Sequence, residues 1–233
     1  MTSPGDDPLP RALRLLWQGD DEPRRPRALT RDAIVAAAVE LADADGLAAL
    51  SMKRLAERLG CGTMSLYRHV ASKDELVTFM LSTGPGPPPT VSDTEDWRVA
   101  LRNWSIGLWD VYHRHPWILA SASPGPPADP GQLGWLDAGL ATLAGTGLRE
   151  RDKLSAVIAV LHFVRGAAAL AIDVRDAQSG DYPALLRRLV DPVDFPALTA
   201  ALEAGVFDDE DGHLTQFHSG LDQLLDGIAA KVR

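Results

Sequence analysis

Cysteine is nearly missing from this 233-residue chain: Cys61 stands alone, so no internal disulfide can form and no thiolate set exists for a structural zinc site. The six histidines show no HExxH spacing, and neither a metal nor a cofactor is expected. Uninterrupted apolar runs are missing too. The longest candidate, residues 154–172, is broken by His162, Arg165 and Gly166, short of the roughly 20 apolar residues a bilayer span needs. The first residues, MTSPGDDPLP, carry acids where a secretion signal would carry bases and an apolar core, so the expectation is a cytoplasmic protein without membrane contact. β-branched alternation is missing, which argues against strands, and no repeat of 20 to 50 residues suggests a solenoid. GxSxG, GxxxxGK[ST] and GxGxxG are also absent, so no nucleophile elbow, phosphate loop or dinucleotide fingerprint points to an enzyme.

With 45% hydrophobic and 24% charged residues, the chain has the composition of a globular protein long enough for one large or two small domains. Its net charge of −9 is unevenly spread: residues 1–23 carry −3, residues 24–82 carry +2 and residues 83–233 carry −8. Phosphate attraction depends on the field within a Debye length, about 8 Å at physiological salt, so an acidic chain can still hold DNA locally. Arg24, Arg25, Arg27 and Arg31 open the one positive segment, as a solvated linker or as an arm toward a minor groove.

GPGPPP at 84–89 and SPGPPADPG at 123–131 cannot continue a helix, because proline lacks the amide donor and clashes with the preceding turn. Between these breaks apolar residues recur at three and four positions, so the fold expected is all-α. Its parts are an N-terminal extension (1–27), a helix-turn-helix domain (28–82) and a larger helical half (90–233). Within the second, Ile34, Ala37, Ala38 and Leu41 line one face of a first helix that Asp45-Gly46 ends. Ser51 caps a second helix that turns Leu55, Ala56 and Leu59 inward. Gly60-Cys61-Gly62 then permits a tight turn into a short polar helix from Thr63 to His69, with Leu66 buried. Ser72 caps a fourth helix, with Glu75 as its capping-box partner.

Residues 29–76, LTRDAIVAAAVELADADGLAALSMKRLAERLGCGTMSLYRHVASKDEL, resemble the DNA-binding domain of the TetR family of bacterial transcriptional repressors, through LSxxxLAxxLG and LYxHVxxKxxL. HPW at 115–117, LHFVRG at 161–166 and FHSGLDQLLDGI at 217–228 are similar to the regulatory half of its tetracycline-repressor-like branch. The resemblance implies that Thr63, Met64, Ser65 and Arg68 meet base edges, Arg68 reading guanine in the way arginine most often does. It implies phosphate contacts for Tyr67, His69 and Lys73, with Ser51 and Thr63 at helix starts and Arg27 in the arm. Tyr67 can also be read as a core aromatic against the first helix, and His69 as a cap.

Leu214, Phe217, Leu221, Leu224, Leu225 and Ile228 recur at helical spacing, with Gly220 and Gly227 open to a close neighbour. The family pairs its last two long helices across a two-fold axis, so a homodimer is expected through these residues and through Leu154, Ile158 and Leu161 of a helix from about 152 to 177. Trp104, His113, Trp117, Trp135, His162, Phe163 and Arg165 concentrate aromatic and polar groups, the makeup of a small-molecule pocket or of an ordinary core. His162 is singled out because buried neighbours, Leu161 and Phe163, would leave its imidazole in need of a partner.

The reading that follows is a dimeric repressor that binds a palindromic double-stranded operator and is released by an apolar or aromatic effector, with the fourth helix, 72–82, as the moving part. An effector-independent DNA-binding protein and a helical enzyme using His113, His115, Asp137 or His162 are the alternatives. Nineteen arginines against four lysines, with abundant Ala, Gly and Pro, resemble the usage of bacteria with GC-rich genomes.

Overall fold

Caps and prolines set the helix boundaries in the computed structural model, which describes residues 9–18, 29–92, 96–121, 128–176, 182–208 and 212–232. Arg24, Arg25 and Arg27, the residues of the expected arm, lie outside these. Among the described residues every regular element is helical. Helix α1, Arg11–Gln18, precedes a four-helix head: α2, Arg31–Asp45; α3, Met52–Arg58; α4, Thr63–Tyr67; and α5, Lys73–Thr83. The larger half follows with α6, Trp97–Arg114; α7, Trp117–Ala120; α8, Pro130–Ala141; α9, Glu150–Asp176; α10, Tyr182–Leu189; α11, Pro196–Glu203; and α12, Gly212–Ala229.

In the head, hydroxyls of Thr30, Ser51 and Ser72 accept the amides of Ala33, Arg54 and Glu75 at 3.1–3.2 Å, each satisfying an amide that has no partner inside its helix. Gly46 follows α2 with φ +77° and ψ 159°, a backbone that side chains rarely tolerate. Ile34, Ala38, Leu55, Leu66, Val70, Leu76 and Met80 are fully buried and form the head's core. Buried leucines of this kind contribute about 1.5–3 kcal/mol each relative to exposure, which is what holds so short a helix as α4 in place.

The capping box around Ser72 is altered from the expectation. Glu75 is buried, and its carboxylate takes the amide of Ala71 rather than that of Ser72, while also meeting Arg11 of α1. The third helix is shorter than expected: α4 stops at Tyr67, and Arg68 and His69 form a turn whose amides at His69 and Val70 return to the Leu66 carbonyl.

The larger half is built on α6 and α9, with α8 and α12 packed against α9. Helix α9 is long and apolar enough to cross a membrane by length and composition, even with His162, Arg165 and Gly166 in it. Here its Val157, Val160, Val164 and Ala168 are buried in the helical core. Gly139 of α8 lets Trp104 and Val157 close in, since a Cβ there would lie 2.9 Å from both.

Candidate nucleic-acid interface and effector half

The turn between α3 and α4 depends on Gly60, at φ +63°, a left-handed position that favours glycine. It orients α4 so that one residue, Leu66, anchors it in the core while its other side chains face outward. Met64 is 75% exposed and Tyr67 44% exposed, Arg68 is exposed, and Thr63, Ser65 and His69 are half-buried. Tyr67 is thus only partly a packing residue. Lys73 is half-buried and reaches the Leu47 carbonyl at 3.4 Å, whereas Ser51 spends its hydroxyl on the α3 cap.

The basic side chains of α3 lie beside carboxylates of the head. On α3, Arg54 pairs with Asp45 and Arg58 with Glu40, both at 2.6 Å, and Lys53 stands 4.0 Å from Glu57. Arg68 makes no hydrogen bond or ion pair among the described residues. A short helix offering a thioether and a phenol, with a free guanidinium in the turn that follows it, is equipped to enter a major groove and touch base edges.

The aromatic residues expected to form one pocket are distributed over three places. Trp104 and Trp135 lie together, centroids 6.4 Å apart, with the Trp104 N–H donated to the Trp135 carbonyl and the Trp135 N–H to the Gly86 carbonyl, each at 2.9 Å. A second group stacks between α6, α9 and α12: His113 on Trp109 at 4.3 Å, Trp109 on Phe217 at 4.2 Å, and Phe217 beside Phe163 at 6.0 Å. Arg165 donates to the Leu119 carbonyl of α7 at 3.1 Å. Burial pushes the phenol of Tyr112 above its ordinary value of 10.0, an effect the nearby Arg165 charge and hydrogen bond partly offset.

Trp117 stands in the third place, the joint between the halves. Its indole N–H donates to Asp43 of α2 at 2.7 Å, and the same carboxylate oxygen lies 2.7 Å from Nδ1 of His115. HPW marked this segment in the sequence, but nothing local in it pointed to Asp43, 72 residues earlier. His162 needs correcting: it lies exposed near the centre of the outer face of α9, because Leu161 and Phe163, its half-buried neighbours, flank that face rather than enclose it.

The expected dimer stripe also needs correcting. Phe217, Leu221, Leu225 and Ile228 are buried within the chain, since this face of α12 packs onto the chain's own core, and they have no surface left for a second subunit. Leu161 and Leu224 are half-buried against the same core, Ile158 is half-buried and Leu154 is exposed. Gly220 does permit a close approach, but by Phe163 of the same chain, whose ring would lie 2.6 Å from an added Cβ.

Two clefts open beside the joint. One of about 1050 Å³ runs between α2, the end of α5 and the start of α8; the other, of about 750 Å³, lies between α1, α5 and the start of α8. None of the seven aromatic and polar residues expected to bind a ligand lines either cleft.

Comparison with known proteins decides what this arrangement belongs to. Residues 34–78 match the description "Bacterial regulatory proteins, tetR family", and residues 89–232 match "Tetracyclin repressor-like, C-terminal domain". The chain belongs to the TetR family. As a member it is a DNA-binding transcriptional regulator rather than an enzyme. It is similar to the HTH-type transcriptional repressor DrrR1 of Streptomyces coeruleorubidus, 34% identical over 98% of this chain and 88% of that one. An HTH-type transcriptional regulator of Saccharopolyspora erythraea is 35% identical over 92% of this chain and 90% of its own length. Among solved structures, ActR of Streptomyces coelicolor in complex with actinorhodin superimposes with a TM-score of 0.74 at 25% identity, covering 89% of this chain and 98% of that one.

Proposed function

We propose that this TetR-family regulator is a homodimeric repressor that binds a palindromic operator through Met64, Tyr67 and Arg68 and is released by an aromatic small molecule. The observation that carries the reading is α4 with the turn after it: Met64, Tyr67 and Arg68 face outward while Arg54 and Arg58 of α3 are held by acids. One such helix makes too few contacts for useful affinity. Two of them, roughly 34–36 Å apart on one face of a duplex, are the geometry that dimeric helix-turn-helix proteins use.

The outer face of α9 supports the dimer. Leu154, Ile158, His162 and Leu170 lie along it, and Gly166 faces open space, so a partner helix can approach its backbone. Aromatic effectors are suggested by the actinorhodin complex of ActR and by the aromatic groups around Trp104 and Trp109.

The test is a mobility shift of the purified protein on promoter DNA flanking its own gene, at two salt concentrations, with random DNA as competitor. Selective retardation that weakens with salt and is reduced for Arg68→Ala is expected, as is release by actinorhodin used as a first aromatic probe. Failure to select any sequence from a genomic-fragment library overturns operator recognition, and sedimentation as a monomer at micromolar concentration overturns the dimer.

A further inference from the structure

Helix α1 lies outside the segment matched by the DNA-binding family description, which begins at residue 34, yet it is docked against both halves of the molecule. Toward the head, Arg11 of α1 grips the buried carboxylate of Glu75 at 2.6 Å in the first turn of α5. That carboxylate also accepts the amide of Ala71, in the turn that follows α4. Toward the larger half, Trp17 donates its indole N–H to the Ala128 carbonyl at 3.0 Å, just before α8. Between these ends Ala12 is buried, and Leu15 and Leu16 pack against the core.

We propose that α1 is a positioning strap for operator binding: Arg11 fixes the turn behind α4 through Glu75, and Trp17 ties that same helix to the effector half. None of these residues touches DNA in this scheme. Arg11 acts through Glu75 on the backbone that carries His69 and Lys73, while Trp17 acts on the angle between head and effector half. A buried carboxylate stripped of its cation is left to the Ala71 amide alone, so losing Arg11 lets Glu75 move and the turn behind α4 with it. Losing only the Trp17 N–H leaves each head intact and loosens its orientation.

The inference rests on the operator-binding dimer proposed above, and two duplexes separate its failure from the failure of that reading. One carries the full sequence that the wild-type chain selects from a randomised pool; the other carries a single half-site. Affinities are measured by fluorescence anisotropy at a temperature where circular dichroism shows every variant fully helical. Arg11→Leu is expected to weaken binding to both duplexes about tenfold, as for the loss of a charge-assisted hydrogen bond from a half-exposed guanidinium, and Arg11→Lys to recover most of it. Trp17→Phe, which keeps an aromatic side chain at this half-exposed position and removes the N–H, is expected to weaken binding to the full site about threefold and leave the half-site unchanged, as for one neutral hydrogen bond. A merely structural α1 would lower the melting temperature of these variants and leave both affinities at the wild-type value at the assay temperature; that result overturns the strap. If the wild-type chain selects no sequence at all, operator binding itself has failed.

Discussion

Replacing Asp43 by alanine removes one carboxylate that receives two donors from the other half of the molecule. The Trp117 indole N–H and His115 Nδ1 both lie 2.7 Å from its Oδ1, and both of those side chains are buried. A hydrogen bond to a charged acceptor contributes about 1.5–3 kcal/mol. The Asp43 side chain is 30% exposed, so water can replace part of what is lost, and the lower end applies to each bond. The expected cost is about 3 kcal/mol, which for a chain of this length lowers the melting temperature by about 6–12 °C.

Scanning calorimetry measures this directly and shows in addition whether one transition becomes two, which is expected when the joint weakens and the halves unfold separately. Asp43→Asn keeps an oxygen for the indole and loses only the charge, so it should cost about half as much. Trp117→Phe keeps an aromatic side chain, removes the donor and leaves a gap where the rest of the indole was buried. In the double variant Asp43→Ala/Trp117→Phe the losses should fall short of additive by about 1 kcal/mol, because the two residues share a bond. Strict additivity, or an Asp43→Ala melting point within about 2 °C of wild type, refutes the joint as a source of stability.

Four further outcomes follow from particular contacts. Arg68→Ala should cost about 1–3 kcal/mol of operator discrimination, read by competition anisotropy, with no change in melting temperature because Arg68 holds nothing in the fold. Gly131→Ala should lower stability sharply by calorimetry, since an added Cβ would lie 1.7 Å from the Ser82 backbone oxygen and force α8 away from α5. Acid should weaken the attachment of α12 to α6: the Arg102 hydrogen bond and charge, helped by Arg98, hold the Asp222 carboxyl below its ordinary 3.8. That contribution is present above pH 3.8 and is lost as pH falls through the depressed folded value, so Asp222→Asn should flatten the melting temperature's fall in acid. At the other extreme the Tyr112 phenol is raised, so the unfolded chain gives up this proton first and stability is lost as pH rises from 10.0 through the folded value; Tyr112→Phe should remove that part of the alkaline loss in a pH series of melts.

Local chemistry made the head legible. Ser51 and Ser72 are caps in the sequence and in the structure, Leu66 is the single anchor of α4, and Gly60 turns where the Gly-Cys-Gly triplet allows. All three depend on contacts within a few residues, which periodicity and residue type encode. The binding half was less legible because its decisive contacts join distant positions. Periodicity grouped Phe217, Leu221, Leu225 and Ile228 on one face of α12, but it could not say whether that face met the chain's own core or a second copy. The same ambiguity affected His162: a helix with a wide apolar composition exposes whichever arc its neighbours leave uncovered, and here α6, α8 and α12 leave the arc centred on His162. Trp117 is recognisable as an aromatic residue worth noticing, whereas its partner Asp43 lies in the last turn of a helix beside Asp45, where a carboxylate reads as solvated.

The joint has a consequence for how an effector would act on DNA binding. The head is held from three sides: α2 by Asp43 to His115 and Trp117, α5 by Glu75 to α1, and the end of α5 by the close approach of Gly131 to Ser82. A ligand that merely fills space in the larger half binds every orientation of the head equally and shifts nothing. To release an operator it must favour an arrangement in which at least one of these three attachments is altered, and near-complete reversal requires about 5.5 kcal/mol of difference in its affinity for the two states. The Asp43 pairings contribute about 3 kcal/mol, so breaking them alone would consume over half of that difference. An effector that instead moves α5 along with α8, leaving Asp43 paired, works against less. Asp43→Ala therefore separates the two routes. If release breaks the Asp43 joint, the variant is already loosened and should respond at lower effector concentration, whereas if α5 and α8 move with the joint intact, its dose response should match that of the wild-type chain.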